Sequence, residues 1–316
     1  MLPSEQITAR TAGVPNRTGI DITFPQMKAP VSLWMAAILL APALHAQWPN
    51  YPSPGVPKGP DGKPNLSGPA PKAADGHPDL SGLWENVRGN ARQVFRATNN
   101  RNPDGTLPPE PASQQPPTPG PPLATFGNIG ANVKEGLPLK PWAKELLDKR
   151  KAENSKDNPD AHCLPMGFMQ FHEHPQPRKI IQTPTEVVII YEANSGLRQI
   201  FTDGRPLPNP DDVQPWWYGY SVGHWDGDTL VVETVGFRDD VWLDVNGTPL
   251  TNKGTVTEKF RRPDFGHLNI EVTIDDPSAY TKPFTVQVRQ QIMLNTDLIE
   301  FICGENEQSD KHLVGK

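Results

Sequence analysis

The chain has 316 residues, a net charge of −6 at pH 7 and a hydrophobic fraction of only 35 %. It contains 38 prolines, about twice the usual frequency of roughly 5 %. Because proline lacks a backbone donor and fixes φ, helices and central strands are excluded from much of this length. The mild acidity, without any block of clustered Lys and Arg, gives no reason to expect a nucleic-acid partner.

The first predicted element is an export signal. After Met27 a single Lys precedes an apolar run over residues 31–44, and Ala46 closes the segment. This order of basic, apolar and small residues is typical of a secretory signal peptide, here predicted over 27–46. Spanning a bilayer takes about 20 apolar residues, so no membrane span is expected once the signal is removed. Residues 1–26 are then a non-native or untranslated extension, and the mature protein is predicted to be periplasmic or extracellular.

The only two cysteines are Cys163 and Cys303. An exported protein folds in an oxidising compartment, so this pair is predicted to form a disulfide. Closing a loop of that length would stabilise the fold nominally by about 4–5 kcal/mol, by restricting the unfolded chain. Two free thiols, or one metal-bound thiol, are the alternatives.

A short repeat marks the start of the folded part. Residues 47–77 are rich in Pro and Gly and are predicted to be flexible. The sequence DGKPNLSG at 61–68 recurs as DGHPDLSG at 75–82, and only the second copy continues into Leu-Trp. We therefore expect only the second copy to be anchored to a core, and we predict one domain over 78–316.

One loop and one helix are predicted before the strands begin. The proline-rich stretch at about 99–122 is expected to be a loop or a disordered linker inside the domain. A helix is predicted over 140–151, with proline in its first turn. Its apolar face is predicted to consist of Trp142, Leu146 and Leu147.

Beyond Cys163, short runs of Val, Ile, Thr and aromatic residues recur at about ten-residue spacing. Strict alternation in several of them indicates strands with one buried face. The dipeptide Asp226-Gly227 between two runs is a hairpin signal. The predicted strands are 179–183, 187–192, 198–202, 220–225, 229–235, 255–261, 268–274, 284–292 and 298–303. The pattern predicts a mainly β fold: a single antiparallel β-barrel or a strongly curved β-meander.

Several phrases of the chain carry a family resemblance. They are DLSGLW from Asp79, RQIFTDGR from Arg198, GYSVG from Gly219, GDTLVVET from Gly227 and DFGH from Asp264. With them, the chain resembles a family of secreted bacterial proteins of unknown function, a resemblance that implies export and no particular activity. Separately, Gly82-Leu83-Trp84 resembles the Gly-x-Trp that opens the first strand of lipocalin-type barrels, which implies a calycin-like barrel.

Charged residues in or beside apolar strands form the first set of candidate site residues. Buried charges must be paired, and the sequence suggests Glu258 with Arg261, or Glu233 with Arg198. A desolvated carboxylate near an arginine can act as a general acid or base. The candidate catalytic residues are Glu233, Glu258 and Asp240. Solvated strand faces and structural ion pairs are the alternative interpretation.

Aromatic residues form the second set. A small β-barrel can enclose one small ligand, and aromatic faces are suited to line such a cavity. The candidate ligand-binding residues are Trp84, Arg198, Trp217, Tyr220, Trp242 and Arg261. The alternative is that these aromatic residues fill the core and the barrel rim.

Two further patterns resemble functional sites. Ser221 lies in a Gly-x-Ser-x-Gly motif, which needs a strand-to-helix elbow to act as a nucleophile. Here the motif runs into a hairpin turn, so a plain barrel strand is favoured. His162, His172 and His174 cluster near the first cysteine, but metal sites need three or more aligned ligands. Metal binding by this loop is left open, and no metal or cofactor is predicted.

The functional prediction is an exported β-barrel protein that binds a small ligand, with an apolar ligand as the favoured case. An acid–base enzyme, a hydrolase or isomerase using carboxylates in the barrel cavity, is the first alternative. A non-catalytic envelope interaction module is the second, and it would show a filled barrel and an exposed apolar patch. The identity of the ligand and the oligomeric state do not follow from the sequence.

Overall fold

The computed structural model describes residues 51–87 and 120–303. The predicted signal peptide at 27–46, the extension at 1–26 and most of the predicted loop at 99–122 lie outside the described residues. Within the described part the fold is mainly β, as predicted. Nine strands close into one barrel.

The barrel strands are β1 (Gly82–Asn86), β2 (Arg178–Gln182), β3 (Glu186–Tyr191), β4 (Leu197–Phe201), β5 (Tyr220–Asp226), β6 (Thr229–Val235), β9 (Thr255–Arg261), β10 (His267–Asp275) and β11 (Phe284–Ile292). Two short strands, β7 (Val241–Trp242) and β8 (Pro249–Leu250), form a separate hairpin. The helices are α1 (Pro141–Ala152) and α2 (Phe168–Glu173). Around the barrel the strand order is β1-β11-β10-β9-β6-β5-β4-β3-β2.

The barrel is antiparallel except at one junction. Strands β5 and β6 form the predicted hairpin, and Gly227 in its turn has a φ of +58°, which glycine adopts without steric cost. Strands β4 and β5 instead run parallel and pair at only two positions, Ile200 with Ser221 and Phe201 with Val222. Parallel neighbours need a long crossover, which the connection between these two strands provides. The barrel wall is therefore weakest at this junction.

The predicted strand at 298–303 is wrong, because this segment is irregular. Strand β1 pairs with both β11 and β2 and so closes the barrel without it. The segment is held on the outside by the amide of Ile299, which donates to Glu192 Oε2 at 3.0 Å. The predicted disulfide is confirmed: Cys163 and Cys303 are bonded, with their Cα atoms 5.5 Å apart.

Helix α1 matches the predicted helix to within one residue, but its buried face differs. Ala143 and Leu147 are buried, whereas Trp142 is 44 % exposed. At the surface, Nε1 of the Trp142 indole donates to the carbonyl of Ser278 at 2.9 Å. The sequence does not predict helix α2, because Pro165, Pro175 and Pro177 flank it and favour a loop. Five of its six residues are nevertheless buried.

Both copies of the repeat lie on the barrel. The same pattern of backbone hydrogen bonds recurs in the two copies. In the second copy the ring of His77 stacks on Trp225, with centroids 4.6 Å apart. The first copy is anchored as well, since the amide of Gly266 donates to the carbonyl of Leu66 at 2.7 Å. The expectation that only the second copy is anchored is therefore wrong.

The barrel core follows the alternation of the strands, which sends every second side chain inward. One inward row, formed by directly paired residues of four neighbouring strands, is completely apolar. It consists of Leu230, Phe260, Ile270 and Val288. Towards the α2 end of the interior, the inward positions include polar and charged residues, which form the site described next. In the described part of the chain no helix is long and apolar enough to cross a membrane.

Candidate functional site

The barrel interior contains an ion pair between Arg198 of β4 and Glu258 of β9. Arg198 Nη1 donates to Glu258 Oε1 at 3.0 Å, and Nη2 donates to Oε2. Both side chains are at most 1 % exposed. Burial alone would raise the pKa of Glu258. The charge of Arg198 and hydrogen bonds from Arg198 and His172 instead lower this pKa to about 2. Glu258 is therefore a carboxylate at neutral pH.

His172 of α2 extends this pair into a chain of three groups. Its Nε2 lies 2.8 Å from Glu258 Oε1. Burial lowers the pKa of His172, although Glu258 raises it in part, so the ring is neutral and donates from Nε2. Its Nδ1 is buried and has no hydrogen-bond partner among the described residues. Helix α2 thus inserts an imidazole oriented by a carboxylate into the barrel.

Two hydroxyl groups complete the interior network on the other side of Arg198. Ser221 Oγ accepts from Arg198 Nη2 at 3.1 Å, and Thr234 Oγ1 accepts from the same nitrogen at 3.0 Å. The two hydroxyls also lie 2.9 Å from each other. Ser221 therefore belongs to a barrel strand and hydrogen-bonds a guanidinium, rather than lying in a nucleophile elbow.

A groove opens on the outer surface at the weak β4–β5 junction, and we call it the seam groove. Its volume is about 270 Å³, and its walls include four aromatic side chains. The lining includes Phe201, Trp216, Trp217, Tyr218 and Arg238, together with the buried Arg198 and Ser221. The groove therefore reaches from solvent to one edge of the interior network.

The walls of the seam groove are held by backbone pairing and by stacked guanidinium groups. The amide of Trp216 donates to Gly236, and the amide of Arg238 donates back to Trp216 at 3.1 Å. The guanidinium carbon of Arg238 lies 4.6 Å from the ring centroid of Trp217. Trp216 itself is 49 % exposed. A large indole held by its backbone but left open to water is a surface suited to a flat ligand.

A second groove of about 270 Å³ lies on the other side of Trp217. Trp217 and Trp242 line it together with Asp240. Trp242 is almost completely buried, under the guanidinium of Arg150 at 4.3 Å. This groove also contains Lys149, His162, Glu153 and Asp157. Its lining thus mixes both signs of charge.

The predicted charge pairs are wrong, because Glu258 pairs with Arg198 instead. Glu258 and Arg261 are three positions apart on one strand, so they face opposite sides and Arg261 is exposed. Alternation along β6 likewise places Glu233 on the outer face, where it is exposed between the buried Val232 and Thr234. Of the candidate catalytic residues, only Glu258 therefore lies in the interior.

Asp240 lies in the surface loop after β6. It is exposed and forms an ion pair with Arg238, at 2.8 Å between Oδ2 and Nη2. It also lines the second groove, away from the interior network. The three candidate catalytic carboxylates are therefore not brought together.

The candidate ligand-binding residues are divided among several places. Arg198 and Trp217 line the seam groove, and Trp217 and Trp242 line the second groove. Tyr220 lies beside the seam groove, with its hydroxyl 3.1 Å from Arg205 Nη1. Trp84 is completely buried, and its Nε1 donates to the carbonyl of Leu80. It packs in the core beneath Arg262, which is the buried neighbour of the exposed Arg261.

The three histidines of the predicted cluster do not share a site. His162 is exposed on the surface, His172 bonds to Glu258, and His174 packs edge-on against Phe126. Among the described residues, no group of three or more His, Cys, Asp or Glu side chains is arranged to hold a metal ion.

The sequence reasoning missed Thr234, Trp216 and Arg238 as site residues. Thr234 was detectable, because strand alternation places it inward next to the outward Glu233. Trp216 directly precedes the candidate residue Trp217, but no predicted strand covers this part of the sequence. The role of Arg238 depends on the crossover between β4 and β5, which no local pattern encodes.

The end of α2 is held in the barrel by Arg178. This buried guanidinium donates to the carbonyls of His172, His174 and Gln176. Beside it, burial raises the pKa of Glu173 to about 8, and the charge of Arg178 only partly opposes this. Burial likewise lowers the pKa of His174 to about 3.

A Glu173→Gln variant is expected to remove part of the pH dependence of stability. The folded-state pKa of Glu173 is raised from 4.5 to about 8, so the folded protein favours the protonated carboxyl group. The stability that this preference contributes is lost as pH rises from 4.5 through 8. Between pH 7 and 8.5 the wild type should lose about 1–2 kcal/mol of unfolding free energy, and the variant clearly less. Both buried histidines are neutral in this window. Urea unfolding at each pH measures the difference, and parallel curves for the two proteins would contradict it.

Comparison with known proteins gives no match: no protein-family model, no curated protein and no solved structure is significantly similar to this chain. The geometry of the site is therefore the basis for a function.

Proposed function

We propose that this protein binds a small ligand with a flat, apolar surface in the seam groove. The observation that carries the proposal is the half-exposed Trp216, one of four aromatic side chains that line the seam groove. A volume of about 270 Å³ is near the lower end of the range for small-molecule sites, which begins at about 300 Å³. The fitting ligand is therefore small, about the size of one or two fused rings.

The proposal places the ligand outside the barrel rather than in an internal cavity of the lipocalin type. Helix α2, the Arg198–Glu258 pair and the inward apolar row occupy the interior. An internal site would require displacing a buried ion pair, which costs several kcal/mol. The seam groove is open without any such change.

The acid–base alternative is less well supported by the same geometry. A general base must reach the proton that it abstracts. Both oxygens of Glu258 are already bonded to Arg198 or His172. His172 is not among the residues that line the seam groove. The interior network is therefore better suited to hold the barrel wall behind the groove than to perform chemistry in it.

We also propose that the protein acts in the periplasm or outside the cell. The disulfide between Cys163 and Cys303 is compatible with export, since such bonds persist in oxidising compartments. The family resemblance of the sequence phrases supports the same location. The ligand would then be met outside the cytoplasm.

Equilibrium dialysis with 2-naphthamide, a neutral two-ring probe, tests the proposed site. Trp216→Ala should weaken binding about 10-fold, because it removes a stacking surface and the apolar area that the probe buries. Trp142→Ala is the matched control, since that indole is similarly exposed but lies on α1 away from the groove. Its dissociation constant should stay within about twofold of the wild type.

Two results would contradict the proposal. One is the absence of wild-type binding up to about 1 mM probe. The other is an equal loss of affinity in Trp216→Ala and Trp142→Ala. If larger partners rather than small probes protect Trp216 from solvent, the interaction-module alternative would be favoured.

A further inference from the structure

The charged residues that line the seam groove all have the same sign. They are Arg198 and Arg238, and the described lining contains no carboxylate. The neighbouring second groove is different, since Lys149 and Arg150 share its lining with Glu153, Asp157 and Asp240. Of these two grooves, the seam groove is the one whose charge is complementary to an anion.

Arg198 contributes little net charge to the groove. Its guanidinium is bonded to the Glu258 carboxylate and to two hydroxyls inside the barrel. This pair is neutral as a unit, because Glu258 is ionised. All three nitrogens of the Arg198 guanidinium are used in hydrogen bonds, whereas Arg238, although it pairs with Asp240, bonds through only two of its three.

Arg238 is positioned to bind a second anionic group beside its present partner. Its Nε and Nη2 both donate to Asp240 at 2.8 Å, and Asp240 lies on the side of the second groove. Its Nη1 makes no hydrogen bond to any described residue. The guanidinium is also fixed against the face of Trp217. A planar fork of this kind, with one edge unused, matches a carboxylate that approaches from the groove.

We propose that the natural ligand of the seam groove is a small aromatic anion. Its ring packs against Trp216 and Trp217, and its carboxylate, or a similar oxyanion, accepts a hydrogen bond from Nη1 of Arg238. The inference rests on the proposed function and adds the charge of the ligand and the residue that recognises it. One oxyanion is specified, because Nη1 of Arg238 is the one guanidinium nitrogen of the two lining arginines that makes no hydrogen bond to a described residue.

The test compares 2-naphthoate with 2-naphthamide, which have the same ring system and differ by one negative charge. The wild type should bind the carboxylate about 10-fold more tightly than the amide. Arg238→Gln should abolish this preference, so that the two probes bind this variant with affinities that agree to within about twofold. Arg238→Lys should keep part of the preference, because it retains the charge but not the planar fork. Raising NaCl from about 50 to 500 mM should weaken carboxylate binding only.

Arg205→Gln is the matched control. Arg205 has the same arrangement as Arg238, an exposed pair with Asp203 and a guanidinium stacked on an aromatic ring. It does not line the seam groove. Naphthoate affinity should change by no more than about twofold in this variant, and thermal melts should confirm that both arginine variants are folded.

The outcomes separate the two proposals. If the amide binds and the wild type shows no preference for the carboxylate, the anion inference is overturned while the groove remains a ligand site. An equal loss for both probes in Arg238→Gln would overturn it in the same way. If neither probe binds, the proposed function fails together with the inference.

Discussion

Replacing Arg198 by methionine is expected to lower the free energy of unfolding by about 3–5 kcal/mol. The substitution leaves the Glu258 carboxylate inside the barrel with only His172 as a hydrogen-bond partner. It also removes the donor to Ser221 and Thr234. An uncompensated buried charge is among the most destabilising changes that a single substitution can make.

Urea unfolding of the wild type and the variant at pH 7 measures this effect. Gln199→Met is the control, because Gln199 is the outward-facing neighbour on the same strand and should change stability by less than about 0.5 kcal/mol. Adding Glu258→Gln to Arg198→Met should recover at least half of the loss, since no buried charge then remains unpaired. A loss below about 1 kcal/mol in the single variant would show that the pair contributes little.

The same pair predicts a pH dependence with a defined sign. The pKa of Glu258 is lowered in the folded state from 4.5 to about 2. Its contribution to stability is therefore present above pH 4.5 and is lost as pH falls towards 2. The stability difference between the wild type and Arg198→Met should narrow over this range, because protonation of the carboxylate removes the unpaired charge.

Removing the disulfide is expected to have the second largest effect, a loss of about 2–5 kcal/mol. Cys163 and Cys303 are separated by 140 residues in the sequence, so the bond greatly restricts the unfolded chain. In the folded protein it ties the irregular segment after β11 to the loop before α2. Without it, the segment keeps the Lys179–Asp297 ion pair and a few hydrogen bonds.

Denaturant unfolding of Cys163→Ser/Cys303→Ser against the wild type tests this expectation. The variant should also be cleaved sooner by protease within residues 297–303, because local opening there becomes easier. Reduction of the wild type with dithiothreitol should reproduce both effects. Unchanged stability in the double variant, with the bond verified in the wild type by non-reducing peptide mapping, would contradict the prediction.

Much of the fold was predictable because the strands carry local signals. The strands predicted over Thr255–Arg261 and Phe284–Ile292 have the observed bounds. The Asp226-Gly227 hairpin follows from the φ that glycine tolerates. The segment at 298–303 has a similar composition but forms no strand. Strand β1 already pairs with β11 and β2, so neither of these strands has a free edge for the segment. Strand propensity alone does not tell which edge is available.

The sequence by itself determined that this protein is mainly β, that its strands have one inward face and that its only two cysteines can pair with each other. Only the tertiary structure decided that Arg198 meets Glu258, because alternation assigns a side chain to a face and not to a partner across a closed barrel. The seam groove has the same origin. It exists because β4 and β5 meet in parallel through a crossover, and this brings Trp216 and Arg238 beside strands that are distant from them in sequence.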